Sequence, residues 1–455
     1  MLYSNIKNLT NGVYPFHMPG HKRNPLWTEG LLEADITEIA GADNLHAPDG
    51  VIKDAEKRAS ACFGTTATLM LTGGSTVGVL ASISAVCNTG DRIIIARNCH
   101  KSVFNAVRMH SLDVSFVFPQ IEHLLGCYGR VEPWHIADQM DKSGAKIVVV
   151  TSPTYEGVVS DIKAIAHEVH LRDGILIVDS AHGAHLGFSD YFPPSARHLG
   201  ADIVIESAHK TLPCLTGGAY LHICTDSVRK GAVQQAVGTY LTSSPPYPIL
   251  CSLDRFVSFE GKDKLFNAYV KKLDDFYSKS ASLGCLKIVK TCDPSKIVIS
   301  CSGANINGFE LKDKLLMKYG IELEMAMPGY ALAMTSVADT QEGFNRLLCA
   351  LKEISSGLAP TEKKRTPPPP MPKTRRSLTQ RLPFACCLLP LGRAVGRVSC
   401  DSIFAYPPGS PIIAPGEEIT EEVIEYLNIL SASRAQILSD GEFFPEAICV
   451  FEEYD

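Results

Sequence analysis

The chain has 455 residues, which suits two or three domains better than one simple core. Hydrophobic residues make up 45% and charged residues 20%, an ordinary globular balance. The net charge of −6, from 43 basic and 49 acidic side chains, supplies no basic face for a nucleic-acid backbone. The 15 cysteines are scattered without a C-x-x-C pair, which favours buried, reduced thiols in the cytoplasm over a disulfide framework. The opening MLYSNIKNLTNG has no apolar signal core, and the apolar runs are strand-sized, so neither a secretory signal nor a membrane span is expected.

Residues 1–60 read as an irregular arm rich in His, Pro and Gly, with PFHMPGHKRNP at 15–25 and DITEIAGADNLHAPDG at 35–50. Residues 61–260 alternate strands and helices. ATLML, TGGST and the apolar helix VGVLASISAVC come first, then RIIIA, DVSFVF, AKIVVVTSP, the helix IKAIAHEVHLRD, ILIVDSAH and ADIVIESAHK. The strand cores are continuous and β-branched, as in strands buried on both faces, so this region is expected to be an α/β unit with a mainly parallel sheet. Residues 261–360 read as a smaller α+β domain. Residues 361–377 form a charged, proline-rich linker, TEKKRTPPPPMPKTRRS, read as a spacer with a docking peptide as the alternative. Residues 378–455 form a C-terminal unit containing AYPPGSPIIAPGEEIT.

Asp179, in VDSAHGAH (178–185), and Lys210, in ESAHKT (206–211), each end a strand. They lie 31 positions apart, room for one crossover helix and one strand. In such sheets ligands bind beyond the carboxyl ends of the strands, where these side chains would meet. Pyridoxal 5'-phosphate (PLP) chemistry needs this pair of residue types. The amine forms a Schiff base with the cofactor aldehyde, and the carboxylate keeps the pyridine nitrogen protonated so that the ring draws electrons. On their own, an Asp and a Lys read as a salt bridge at the sheet edge; the flanking residues argue for the cofactor.

TGGSTVG (72–78) is a glycine-rich turn from strand to helix, where Gly74, the amides of the helix start and the Ser75 and Thr76 hydroxyls suit a phosphate. It lacks the lysine of a Walker A loop, and by itself it reads as an ordinary helix cap. Ser207 and His209, beside Lys210, are further phosphate donors. His100, in RNCHKS (97–102), ends a strand and can stack on an aromatic ring or move a proton; a core-edge histidine is the alternative. His182 and His185 carry the same two readings, with His182 nearer the ring. HGAH on a loop, without an H-E-x-x-H helix, defines no metal site, and no G-x-S-x-G elbow is present.

PFHMPGHK, GADNLHAP, GGSTVG, RNCHKS, DSAHGAH and SAHKTLP, in that order, resemble the PLP-dependent ornithine/lysine/arginine decarboxylase family of fold-type I. The resemblance is to its shorter members, without an N-terminal wing domain, and YPPGSPIIAPGE resembles the family's C-terminal segment. The resemblance implies that Lys210 is the Schiff-base lysine and Asp179 the partner of the pyridine nitrogen. His100 would stack on the ring, His182 would lie near its hydroxyl, and Ser75, Thr76, Ser207 and His209 would hold the phosphate. LTSSPPYP (241–248) matches a segment that reaches the phosphate of a neighbouring subunit, which implies a homodimer with shared sites and the same role for Thr242 and Ser243. The implied activity is decarboxylation of lysine, arginine or ornithine to the amine, in polyamine synthesis or acid resistance. Glu324, in GIELEMAMPGY, is a candidate for the substrate side chain, with a solvated strand-end glutamate as the alternative. The linker is not a family hallmark, and Cys386–Cys387 reads as core. Other fold-type I activities, aminotransfer or aldol cleavage, share the Asp–Lys pair, and a non-catalytic regulatory paralogue is a third reading.

Overall fold

The computed structural model describes residues 11–362, 367–379, 386–406 and 409–452. Seven strands form the central sheet: β1 (Ala67–Leu71), β2 (Arg92–Ala96), β3 (Asp113–Val117), β4 (Ile147–Thr151), β5 (Ile175–Asp179), β6 (Ile203–Glu206) and β7 (Ala219–Ile223). Their order is β1-β7-β6-β5-β4-β2-β3. β3, β2, β4, β5 and β6 run parallel, while β7 is antiparallel to both β6 and β1. The apolar runs of β2, β4, β5 and β6 are buried along almost their whole length, because helices cover both sheet faces.

The antiparallel β7, AYLHI, escapes the sequence reading because a histidine interrupts it. His222 is nevertheless wholly buried. Its Nδ1 meets Thr68 Oγ1 at 2.8 Å and its Nε2 meets Glu206 Oε2 at 3.2 Å, so a polar side chain is satisfied inside the sheet.

A second, antiparallel sheet lies in 287–334: β8 (Lys287–Val289), β9 (Lys296–Ser300), β10 (Met325–Met327) and β11 (Tyr330–Met334), in the order β8-β9-β11-β10. Helices Lys262–Ser280, Gly308–Tyr319 and Gln341–Ser356 accompany it. The second helix starts at a capping box, where Asn307 and Glu310 satisfy each other's backbone N–H groups.

The N-terminal arm is more ordered than its composition suggests. Tyr14–Phe16 pairs in parallel with Ile321–Leu323. Lys22 is buried and donates to the Met334 carbonyl at 2.7 Å. Asp43 accepts from the backbone N–H groups of Asn44, Asp49, Gly50, Ile52 and Lys53 at the start of helix Val51–Phe63. Against the effect of burial, these donors pull its carboxyl down to about 2.

The C-terminal unit pairs Cys386–Pro390 with Ala447–Phe451 and packs helix Glu421–Ala432 beside the strands Ile403–Ala405, Pro411–Ile413 and Ile437–Ser439. Ile403, Ile413, Val423, Leu427 and Val450 share one apolar cluster with Leu125, Val298, Met325 and Leu332, so this unit is seated on the second sheet. It is joined to the central sheet by Arg97, whose guanidinium donates to both Glu417 oxygens at 2.8 Å, with both side chains fully buried. Part of the proline-rich stretch, 363–366, and the YPPG prolines at 407–408 lie outside the described residues. Pro370 is buried and accepts a hydrogen bond from Tyr128 Oη at 2.8 Å, whereas Pro368 is exposed.

Two expectations about cysteine are corrected. All 15 thiols are free, but Cys292, Cys349 and Cys386 are exposed. Cys386 and Cys387 lie on a strand that is exposed or half-buried throughout, not in a core, because among the described residues it pairs with Ala447–Phe451 alone. Among the described residues no helix is long and apolar enough to cross a membrane.

Candidate active site

The carboxyl ends of β1, β2, β4, β5 and β6 open into one cavity of about 320 Å³. It is bordered by the segments that follow those strands and roofed by Ala405, Pro411, Ile412 and Tyr426 of the C-terminal unit. Lys210 lies on the short helix Ala208–Thr211 after β6. Its Nζ is 3.0 Å from His182 Nε2 and 5.8 Å from the centre of the Tyr155 ring. Burial lowers the Lys210 pKa, opposed by Asp179 and Glu324 and assisted by Lys296. A lysine so placed gives up its proton more readily and becomes a usable nucleophile.

Asp179 ends β5 and is only 3% exposed. Its Oδ1 accepts from Ala181 N at 3.1 Å, and burial raises its pKa while Lys210 and the Ala181 N–H pull it down. A buried carboxylate at this position is costly unless a cation or N–H donor meets it. His182 is equally telling. Burial, then Lys210 and Lys296, keep its pKa well below the ordinary value, and its Nδ1 is buried with no hydrogen-bond partner.

The other end of this half of the cavity suits an anion. Ser75 Oγ and Ser207 Oγ are 2.7 Å apart and both residues are buried. They face the start of helix Gly74–Val86, which has no side-chain cap. Gly74 takes φ +71 and sends its own N–H to the Gly217 carbonyl at 2.7 Å. The next amides and the Thr76 hydroxyl therefore border the cavity as the available donors.

His100 caps helix Lys101–Met109, its Nδ1 accepting from Ser102 N at 3.2 Å. Burial, then Lys210 and Lys101, push its pKa down to about 4, so the ring is neutral at pH 7 with its proton on Nε2. His209 borders the cavity too, but its Nδ1–H donates to the Gly218 carbonyl at 2.9 Å. With its pKa also lowered to about 4, mainly by burial, the neutral ring presents Nε2 as an acceptor. Its Nδ1 proton is thus committed to the Gly218 carbonyl.

The remaining candidates lie elsewhere. His185 turns away into a buried network, Nε2 at 3.0 Å from Asp293, whose other oxygen takes Lys296 at 2.9 Å. Thr242 and Ser243 are exposed and do not border the cavity of their own chain. The Thr242 carbonyl is held by His46 Nε2 at 3.0 Å. Glu324 is buried rather than solvated: it accepts from Met18 N at 2.9 Å and from Tyr155 Oη at 2.5 Å, which ties it to the arm and the β4 loop. Sequence reading missed Tyr155 and Glu156, although TSPTYEG directly follows a parallel strand, where functional loops gather. Among the described residues no group of three or more His, Cys, Asp or Glu side chains could hold a metal.

The class of fold is that of the fold-type I PLP enzymes. The serine palmitoyltransferase of Sphingomonas wittichii superposes with a TM-score of 0.58 at 13% identity, covering 76% of this chain and 86% of that one. The constitutive lysine decarboxylase of Escherichia coli superposes with a TM-score of 0.78 at 18% identity, covering 99% of this chain and 81% of that one. The family follows from sequence. Residues 2–302 match the Orn/Lys/Arg decarboxylase major domain and 369–437 match the Orn/Lys/Arg decarboxylase C-terminal domain. The arginine decarboxylase of Bacillus subtilis strain 168 is 32% identical over 94% of this chain and 92% of its own length. The chain belongs to the Orn/Lys/Arg decarboxylase family.

Proposed function

We propose that this protein is a PLP-dependent decarboxylase of a basic amino acid, lysine, arginine or ornithine. The observation that carries the reading is the convergence of Lys210, Asp179 and the Ser75–Ser207 hydroxyl pair in one cavity at the ends of parallel strands. The residues fit the cofactor. Ser75, Thr76 and Ser207 at an uncapped helix start suit its phosphate, Asp179 suits a protonated pyridine nitrogen, and Lys210 is the amine for its aldehyde. Bound PLP supplies an electron sink for the pair released when the bond from Cα to the carboxylate breaks.

The chain's own residues do the rest. Asp179, buried with the Ala181 N–H as its donor, would hold a proton on the pyridine nitrogen. Neutral His100, fixed by Ser102, gives a flat wall against which a ring can stack. Lys210, with a lowered pKa and His182 at 3.0 Å, can exchange a proton with Nε2 and deliver one to Cα. Tyr155 and the apolar roof border the cavity, and their low polarity would strengthen the charge interactions inside. We further infer a cytoplasmic homodimer in which Thr242 and Ser243, exposed on their own chain, reach the neighbour's phosphate site.

The test is CO₂ release from lysine, arginine, ornithine and a neutral amino acid in parallel, with PLP supplied. Release from one or more of the basic substrates, abolished in Lys210→Ala, is the expected result. Release from none of them overturns the reading.

A further inference from the structure

One charged group in the cavity has no part in the chemistry above. Glu156 follows Tyr155 in the loop after β4, is 6% exposed, and borders the cavity. Its Oε1 accepts from Tyr330 Oη at 2.7 Å. Among the described residues no Lys, Arg or His lies within ion-pair distance of it, and the groups that act on its carboxyl besides burial are hydroxyls and backbone. Burial therefore raises its pKa, whereas Glu206, Asp293 and Glu417, equally buried, are each paired with cations. A carboxylate this deep without a cation is costly to ionise and needs a reason.

Its position supplies one. Glu156 and Lys210 both border the cavity, from the loop after β4 and the short helix after β6. Glu156 is bonded to Tyr330 of β11, and Cys127, Tyr330 and Tyr426 border the cavity with it. Met327 and Ile412 complete an apolar sleeve there. A molecule held by its α-amino end at Lys210 would run its side chain along this sleeve toward the acid. The apolar walls suit methylenes, and the unpaired carboxylate suits a terminal ammonium or guanidinium.

We propose that Glu156 is the specificity residue that receives the cationic end of the substrate side chain. The proposal rests on the decarboxylase reading for its substrate class and adds the contact that selects basic over neutral amino acids. Binding of the cation would hold Glu156 ionised, and Tyr330 would fix the carboxylate's orientation. Rejection of an uncharged chain follows, because it would leave a buried acid unsatisfied.

The experiment compares the parent with Glu156→Gln, which keeps an oxygen for Tyr330 and the side-chain volume. Lysine and arginine are assayed beside norleucine, which has lysine's carbon chain without its ammonium. The expected result is a KM for the preferred basic amino acid raised roughly 10- to 100-fold in Glu156→Gln, with kcat much less affected and norleucine unchanged or improved. Circular dichroism and the absorbance of bound PLP should match the parent, which sets misfolding aside. A KM for lysine and arginine within about twofold of the parent overturns the proposal. Calorimetric binding of lysine and norleucine runs alongside and separates the two claims. A parent that releases no CO₂, yet binds lysine over norleucine in a Glu156-dependent way, keeps this inference and sinks the decarboxylase reading. A parent that decarboxylates, with a Glu156→Gln variant that binds both as the parent does, does the reverse.

Discussion

Glu417→Ala tests how the C-terminal unit is held over the cavity. Arg97 leaves β2 fully buried and donates two hydrogen bonds of 2.8 Å to Glu417, with further bonds to the Pro411 and Ile412 carbonyls at 2.7 and 3.3 Å. Removing the carboxylate leaves a guanidinium with no water and no counter-charge. Breaking one partner of such a pair costs about 3–5 kcal/mol. The Glu417 oxygen that accepts from Ala414 N at 2.8 Å is lost too, so the backbone around 411–417 loosens with it. In a multidomain chain a single unfolding free energy is poorly defined, so the measurement is local. Hydrogen exchange of amides in 409–432 should accelerate by roughly two to three orders of magnitude, while β4 and β5 change little. The double variant Arg97→Met, Glu417→Met removes both charges and should recover most of the loss. Exchange in Glu417→Ala equal to the parent, or a double variant worse than the single, refutes the reasoning.

Ser75→Ala and Ser207→Ala should each weaken PLP retention about 10- to 100-fold, read by dialysis against apo-protein, since each removes a hydroxyl donor to a charged phosphate. Unchanged retention in both would place the phosphate elsewhere. Stability should fall as pH drops from about 6.5 to 4. His100 and His209 have folded pKa values lowered to about 4, so in that window the unfolded chain binds the extra protons. The loss is up to about 3 kcal/mol for each ring, and thermal melts should show a shallower acid limb in His100→Gln. Gly20→Ala should disturb the Lys210 segment from a distance. An added Cβ would stand 2.5 Å from the Leu212 carbonyl oxygen, next to the Gly20 N–H bond to the His209 carbonyl at 2.6 Å. A lower melting temperature with weaker PLP binding is expected, whereas a parent-like variant would show that the arm is not seated there.

The parallel strands were legible because strands covered on both faces must be apolar throughout, and RIIIA and ILIVD carry that mark without ambiguity. The polar residues closing them, Asp179, Ser207 and Lys210, were legible for a topological reason: parallel strands end on the same side. What escaped depends on partners distant in the chain. β7 hides behind His222, which is tolerable only because Thr68 and Glu206 flank it. The arm looks irregular alone, and becomes a strand only by borrowing Ile321–Leu323. Glu324 reads as solvated until Met18 and Tyr155 arrive to occupy its oxygens. Glu156 has only the strand-end position of TSPTYEG to mark it, because its partner Tyr330 lies 174 positions away.

The central claim is that Lys210 holds PLP. Borohydride reduction of the purified holoprotein, followed by digestion and mass spectrometry, tests it directly. The account predicts a yellow protein that bleaches on reduction, with a pyridoxyl group on the peptide bearing Lys210 and none in Lys210→Ala. A label fixed on another lysine, or a protein that takes up no PLP when it is supplied in excess, would contradict it.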